Sequence, residues 1–359
     1  PGGHRGGTYG GEATEVAKGV HRSPPVVHKC GLRRVLHAPT SVGGRNVHDR
    51  SHVGGLAEEV HGNDGDSSLG DRLFQLHWIK GEGERIPILI GSEGTLGIVV
   101  EAELALLPLP VHVVGLAVFF GAEDDALKFV VAARESRTVA PRCIEYFDDQ
   151  AVGIARAVAP AGILPNRAAA MIYVEEEIGD DLDSTLGRWG DLIESAGLDV
   201  DPVVFDGGAR LREARRIRHS IPSMMNERGS RYRDAGGRKV STDWAVPYNK
   251  LAETIQMARA LATDNGVEQA VIYGHAGNGH PHQNVVARDA RELATIESVV
   301  EQTLKRVIAF GSTVAAEHGI GKIKRKWLPL QMNGLQIAMM TAVKRALDPL
   351  GILAPGNIL

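Results

Sequence analysis

Between Glu268 and Val286 the chain reads EQAVIYGHAGNGHPHQNVV. Two β-prone runs flank a turn, AGNGHP, whose glycines let the backbone reverse. A strand, a short turn and a second strand make a hairpin, and hairpin strands pair antiparallel. A fold that holds this segment contains antiparallel sheet, so a purely parallel doubly wound sheet is excluded.

The pattern is regular from about Arg85 onward. IPILIG, GIVVEAELALL and VVGLAVFF read as strands. AEDDALKFVVAARES reads as an amphipathic helix with acids at its start, where the helix dipole favours them. RCIEYFD, AAAMIYVEEE, VDPVVFD and RKVSTDWAVP are further strands. DDQAVGIARAV, DLDSTLGRWGDLIESAG, YNKLAETIQMARALATDNG, DARELATIESVVEQTLKRVIAFG and NGLQIAMMTAVKRALDPLG are further helices. GARLREARRIRHSIPSMMNER is a basic helix that Pro222 is expected to kink or end. Helices alternate with strands, and hairpins occur among them. The expected fold class is α+β, an antiparallel sheet covered by helices on one side.

Residues 1–85 differ. They hold eight of the 14 histidines and scattered glycine, with little helical or strand periodicity. None of these histidines has zinc-finger spacing. The expectation is a poorly ordered segment, or a remnant that is not native to the rest of the chain. The chain begins with Pro1 rather than Met, as a fragment or processed product would.

With 43% hydrophobic and 23% charged residues, the 359-residue composition is that of a globular protein with room for two domains. A net charge of −4 gives no signal for nucleic acid or an acidic membrane surface. No apolar run reaches the ~18 residues of a membrane span, and no secretory pattern opens the chain. Cys30 and Cys143 stand far apart and form no redox or metal motif, which reads as two reduced thiols.

His275 ends one strand of the hairpin and His282 opens the next, so the turn can bring both rings to one end of a sheet. Imidazole is a common ligand of zinc and similar divalent metals. Catalytic zinc usually takes three protein ligands, and the third candidate is Glu317 in AAEHGIG. His318 beside it is free to act as a base. Asn284, two residues past His282 on the same strand face, is placed to orient a ligand. His280 reads as exposed and without function. The alternative stays open: a hydrogen-bonded surface pair of histidines, with EHGIG a plain turn.

GSEGTLGI is a glycine-rich turn entering a strand, and N–H groups at such a turn can hold an anion. It is neither a Walker A loop nor a Rossmann fingerprint. Arg212, Arg215, Arg216 and Arg218 space guanidiniums along a helix. They make either a solvated basic face or, with one turned inward, a carboxylate clamp.

GSEGTLGIVVEAELALLPLP, YGHAGNGHPHQN, AAEHGIGKIKRKWL and ALDPLGILAPGNIL stand in this order. Together they resemble the FAD-linked oxidases of the vanillyl-alcohol-oxidase type, nearest the D-lactate, D-2-hydroxyglutarate and glycolate dehydrogenase branch. The resemblance runs from about Ile86 to Leu359. It implies a partial FAD-binding domain of the p-cresol methylhydroxylase (PCMH) type and a cap domain over the flavin. The implied division is 86–110 for the end of the FAD domain, 111–330 for the cap and 331–359 for a tail returning to the FAD domain. Most of the dinucleotide cradle has no counterpart in the 1–85 segment.

The resemblance implies a divalent metal, zinc or manganese, on His275, His282 and Glu317. It implies His318 as the base, Asn284 as a site residue and Arg218 on the substrate carboxylate. It places Gly91, Ser92, Glu93, Gly94, Thr95 and Ile98 beside FAD. Four departures stand out. GDGN is here GNGH, the glycine before the glutamate is Ala316, the asparagine of a terminal NPG is Ala354, and a threonine four residues past the arginine is Pro222.

The implied reaction is oxidation of a D-2-hydroxy acid to the 2-oxo acid, with hydride passing to FAD. The alternative is a truncated, non-catalytic cap-domain chain or subunit that no longer binds FAD by itself. Implied partners are the small acid, an electron acceptor such as a cytochrome, quinone or electron-transfer flavoprotein, and a second copy or partner subunit. Nucleic acid is not among them. The implied location is cytoplasmic, with peripheral membrane attachment as the variant.

Overall fold

The computed structural model describes residues 29–34, 88–103, 108–179, 181–198, 202–268 and 270–359, with 29–34 and 101–103 as backbone. The expectation for residues 1–85 lies outside these, apart from one strand. In chain order the elements are β1 (Lys29–Arg34), β2 (Val99–Glu103), β3 (Val113–Phe120), α1 (Glu123–Glu135), β4 (Pro141–Asp148) and α2 (Asp149–Val158). Then come β5 (Ala170–Glu177), α3 (Leu182–Ser195), β6 (Val203–Phe205), α4 (Gly207–Ser230), β7 (Gly236–Ser241) and α5 (Leu251–Asp264). The remainder is β8 (Val271–His275), β9 (His280–Asp289), α6 (Ala290–Ala309), α7 (Leu328–Gln331) and α8 (Gly334–Leu347).

β1 and β2 pair antiparallel as a small sheet. The other strands form a seven-stranded sheet in the order β6-β3-β5-β4-β8-β9-β7, and every pairing in it is antiparallel. The hairpin is β8–β9, at the middle of one half. The expected α+β class holds, with a mixed set of helices on an antiparallel sheet. Of the run IPILIG, the described residues 88–91 form a turn and not a strand. Its apolar run faces no paired neighbour there, and Ile90 is largely exposed.

Local rules explain the helices. Glu123, Asp124 and Asp125 occupy the first turn of α1, and Ala126, Leu127, Phe129, Val130 and Ala133 make its buried stripe. Asp148 caps α2 by accepting from Ala151 N, and Asp289 caps α6 by accepting from Glu292 N. Asn333 and Gln336 form a capping box on α8. α4 continues past Pro222 to Ser230 and does not end there. Proline removes one ladder hydrogen bond, but Ile221 and Met225 on either side of it are buried against the sheet and hold both halves in place.

Helices cover both faces of the large sheet, not one. Leu116, Val118, Ile144, Tyr146, Ile172 and Val174 pack with Phe129 of α1, Trp189 of α3, Ile255 of α5 and Leu304 of α6. Ala117, Phe147, Met171, Tyr173, Val271 and Tyr273 point the other way, against Val152 of α2 and Ile217 and Ile221 of α4. Strand alternation sorts the two sets. Periodicity along the chain reports that a helix has an apolar side but not which face of the sheet receives it. The α4 face also carries the histidines of the β8–β9 hairpin.

Candidate metal and substrate site

In the β8–β9 ladder His275 pairs with His280, Tyr273 with His282, and Val271 with Asn284. Residues paired across an antiparallel ladder share a face. His275, His280, His282 and Asn284 therefore project together toward the α4 side. Gly279 closes the turn at φ +67, where a Cβ would lie 1.8 Å from Val246 O. The hairpin tip sits that close because Val246 N donates to Gly279 O at 2.9 Å.

Glu317 comes from a loop pinned beside the end of β7. Asp243 accepts from Glu317 N at 3.2 Å and His318 N at 3.0 Å, and also from Lys324 Nζ. Its own carbonyl accepts from Ala316 N at 2.7 Å. From the other side Glu93 accepts from Ile320 N at 2.5 Å and Gly321 N at 2.6 Å. The loop thus offers Glu317 to the hairpin. Glu317 Oε2 lies 3.0 Å from His275 Nε2, 3.6 Å from His280 Nδ1 and 4.0 Å from His282 Nε2. His275, His280, His282 and Glu317 bring one donor atom each within 4.8 Å of one another, as do Asp243, His282 and His318.

His280, which reads as exposed in the sequence, is buried, at 5% exposure. The turn ends at Gly279, so His280 is already the first residue of β9 and takes the same face as His282 two residues on. The i, i+2 spacing of His280, His282 and Asn284 is the signal for this. His318 is exposed, with its ring centroid 5.1 Å from that of His282.

Two carboxylates that carry no signal in the sequence stand behind the rings. Glu145 on β4 lies 2.8 Å from His275 Nδ1 and 2.8 Å from Arg218 Nη2. Burial opposes its charge, but the bonds from His275 and Arg218 outweigh it and hold the carboxyl below the usual range. The same bond raises His275 above the ordinary imidazole value. Asp243 Oδ1 lies 2.9 Å from His280 Nε2, an ion-pair contact without hydrogen-bond geometry. Burial would raise Asp243, yet His280, Lys324 and the loop N–H groups keep it well below the carboxylate range. His282 is pushed down to about 4 by burial, then by the neighbouring His280, His275 and His318.

The donor set fits a divalent transition metal. It joins imidazole to carboxylate, with one donor atom each from His275, His280, His282 and Glu317 within 4.8 Å of one another, and Asn284 Oδ1 beside them is buried with no protein hydrogen-bond partner. Arg218 enters from α4 and reaches 3.4 Å from His275 Nδ1. Arg215, one turn earlier, is occupied by Glu175 at 2.6 Å, and Arg216 by Glu213 at 2.7 Å, so Arg218 is the arginine at the histidines. A cavity of about 620 Å³ lined by Glu123, Arg156, Arg167 and Arg259 shares no residue with this cluster.

The GSEGTLGI turn does other work in the described residues. Ser92 N donates to Leu89 O, and Thr95 N and Oγ1 donate to Ser92 O. Glu93 holds the Glu317 loop, Gly94 faces Ala354, and Lys344 Nζ donates to Thr95 O. Gly91 is open and Ile98 is exposed. Among the described residues these groups do not by themselves assemble a dinucleotide cradle.

Residues 109–358 match the family of FAD linked oxidases, C-terminal domain, and the chain belongs to that family. It is 26% identical over 283 residues to glycolate oxidase subunit GlcD of Bacillus subtilis, covering 76% of this chain and 56% of that protein. It is 27% identical over 272 residues to D-lactate dehydrogenase of Archaeoglobus fulgidus, covering 76% and 57%. With D-2-hydroxyglutarate dehydrogenase of Xanthomonas citri pv. viticola it shares 31% over 281 residues, covering 76% and 56%. The chain thus spans just over half the length of these relatives. Its fold is similar to that of p-cresol methylhydroxylase, with a TM-score of 0.56 at 15% identity over 79% of this chain and 59% of that one. Among the described residues no helix is long and apolar enough to cross a membrane.

Proposed function

We propose that this chain is the metal- and substrate-holding part of an FAD-linked dehydrogenase that oxidises a small D-2-hydroxy acid to the 2-oxo acid. The observation that carries the reading is the convergence of His275, His282 and Glu317 with Arg218 beside them. A divalent cation, zinc or manganese, held by those three residues would act as a Lewis acid toward the substrate hydroxyl. FAD, which the family's name implies, is the two-electron acceptor that such a reaction needs.

The chain's own residues do the rest. Arg218 keeps Nη2 on Glu145, and the remaining N–H groups of its fork pair with the substrate carboxylate. His318, exposed at the edge of the cluster, takes the hydroxyl proton. A base positioned in this way contributes roughly 10²–10⁴-fold. The carbon-bound hydrogen leaves with its electron pair toward the acceptor. Asn284 Oδ1 orients the bound acid from the strand face. The turn carrying Gly91, Ser92, Glu93, Gly94, Thr95 and Ile98 is read as the wall nearest the flavin.

The test is anaerobic. The purified chain is supplied with FAD and Mn²⁺, and the visible flavin band is followed as D-lactate, glycolate or D-2-hydroxyglutarate is added. Bleaching by one of them supports the reading, and a bound flavin that none of them bleaches contradicts it. The lack of a dinucleotide cradle among the described residues favours a second reading, a non-catalytic cap-domain chain. Failure of the chain to retain any FAD would support that one.

A further inference from the structure

We propose that His280 is a fourth protein ligand, so that the site is a three-histidine, one-carboxylate set suited to an octahedral cation such as Mn²⁺. The inference rests on the metal reading above and goes beyond it. The residue that follows the turn, in GNGH, is an imidazole, His280. That imidazole is not on the surface. It is 5% exposed, directly across the ladder from His275, with its ring centroid 4.6 Å from that of His282 and 5.6 Å from that of His275.

The two nitrogens of His280 have different surroundings. Nε2 lies 2.9 Å from Asp243 Oδ1. Asp243 is itself 2% exposed and fixed by Lys324 and two backbone N–H groups. A carboxylate at one ring nitrogen directs the proton there and leaves the lone pair on the other. That other nitrogen, Nδ1, faces Glu317 Oε2 at 3.6 Å, the same oxygen approached by His275 Nε2 and His282 Nε2. His275 also has a carboxylate at one ring nitrogen, Glu145 hydrogen-bonded at Nδ1, with Nε2 turned toward Glu317. Each ring thus has a carboxylate on one side and Glu317 Oε2 on the other, although only the Glu145 contact is a hydrogen bond.

The donor count decides which metal can work. Three imidazoles and a carboxylate complete a tetrahedral shell, and zinc held that way keeps no position for substrate. An octahedral cation with the same ligands keeps a pair of positions. A 2-hydroxy acid has a matching pair of donors, its hydroxyl and one carboxylate oxygen.

The experiment counts imidazoles around Mn²⁺ bound to the full chain, by pulsed electron paramagnetic resonance, in the wild type and in His280→Asn. Titration calorimetry with Mn²⁺ runs alongside, and His282→Asn serves as a control. The proposal predicts three coordinated imidazoles in the wild type and two in His280→Asn, with affinity lower by about tenfold or more. Two imidazoles in both proteins, with binding lost only in His282→Asn, would overturn it and leave the metal reading intact. No Mn²⁺ bound by the wild type would overturn both. If His280→Asn does not fold, the wild-type count decides alone.

Discussion

Glu145 and His275 are joined across neighbouring strands at 2.8 Å, and the far nitrogen of the same ring lies 3.0 Å from Glu317. The ring is therefore held by one carboxylate and presented to another. Glu145→Gln keeps the shape but weakens the fixing of the His275 tautomer and leaves Arg218 without its counter-charge. Mn²⁺ affinity should fall about 10–100-fold, and urea midpoints should report a loss of about 1–3 kcal/mol. Unchanged affinity in a folded variant would remove Glu145 from the account.

Glu93 ties the Glu317 loop from outside the cluster through Ile320 N and Gly321 N. Glu93→Ala releases those N–H groups. Amide hydrogen exchange at Ile320 and Gly321 should quicken while amides in β5 stay protected, because the loop opens without global unfolding. Metal affinity should drop with it.

Much of this is legible in the sequence, for reasons that also explain the misses. The β8–β9 hairpin and the amphipathic helices follow from local pattern, and the motifs single out Glu317 as the candidate to join His275 and His282. Burial of His280 follows from strand parity once the turn is known to end at Gly279, but the proline beside it makes HPH look like loop. Asp243 and Glu145 carry no local signal. Each is one acid within a strand or strand end, and only the tertiary fold puts it behind a histidine. The covering of both sheet faces is likewise a property of connections, which periodicity does not encode.

Gly279 is where the hairpin tip meets the chain after β7. A Cβ would strike Val246 O at 1.8 Å, and the backbone is left-handed at φ +67. Gly279→Ala should cost about 3 kcal/mol or more from strain plus clash, read as a lowered urea midpoint. A loss below ~1 kcal/mol would show that the tip is not so constrained.

Cys143 has its thiol pushed up to about 12, by burial first and then by the charges of Glu145 and Glu175. Thiolate is the reactive form. In a Cys30→Ser background, alkylation of the native chain should stay slow between pH 8 and 9.5. An ordinary thiol, with a pKa of about 8.5, would go from about a quarter ionised at pH 8 to about nine-tenths ionised at pH 9.5, so its labelling would be fast and would speed up across that range. Fast labelling of Cys143 in the folded protein would contradict the assigned environment.

The central claim is that His275, His282 and Glu317 hold one divalent cation. The most direct measurement is calorimetric titration of the metal-free full chain with Mn²⁺, beside Glu317→Gln and His282→Asn. The account predicts one ion per chain in the wild type and uptake abolished or sharply weakened in both variants. No uptake by the wild type, or equal uptake by all three proteins, would contradict it.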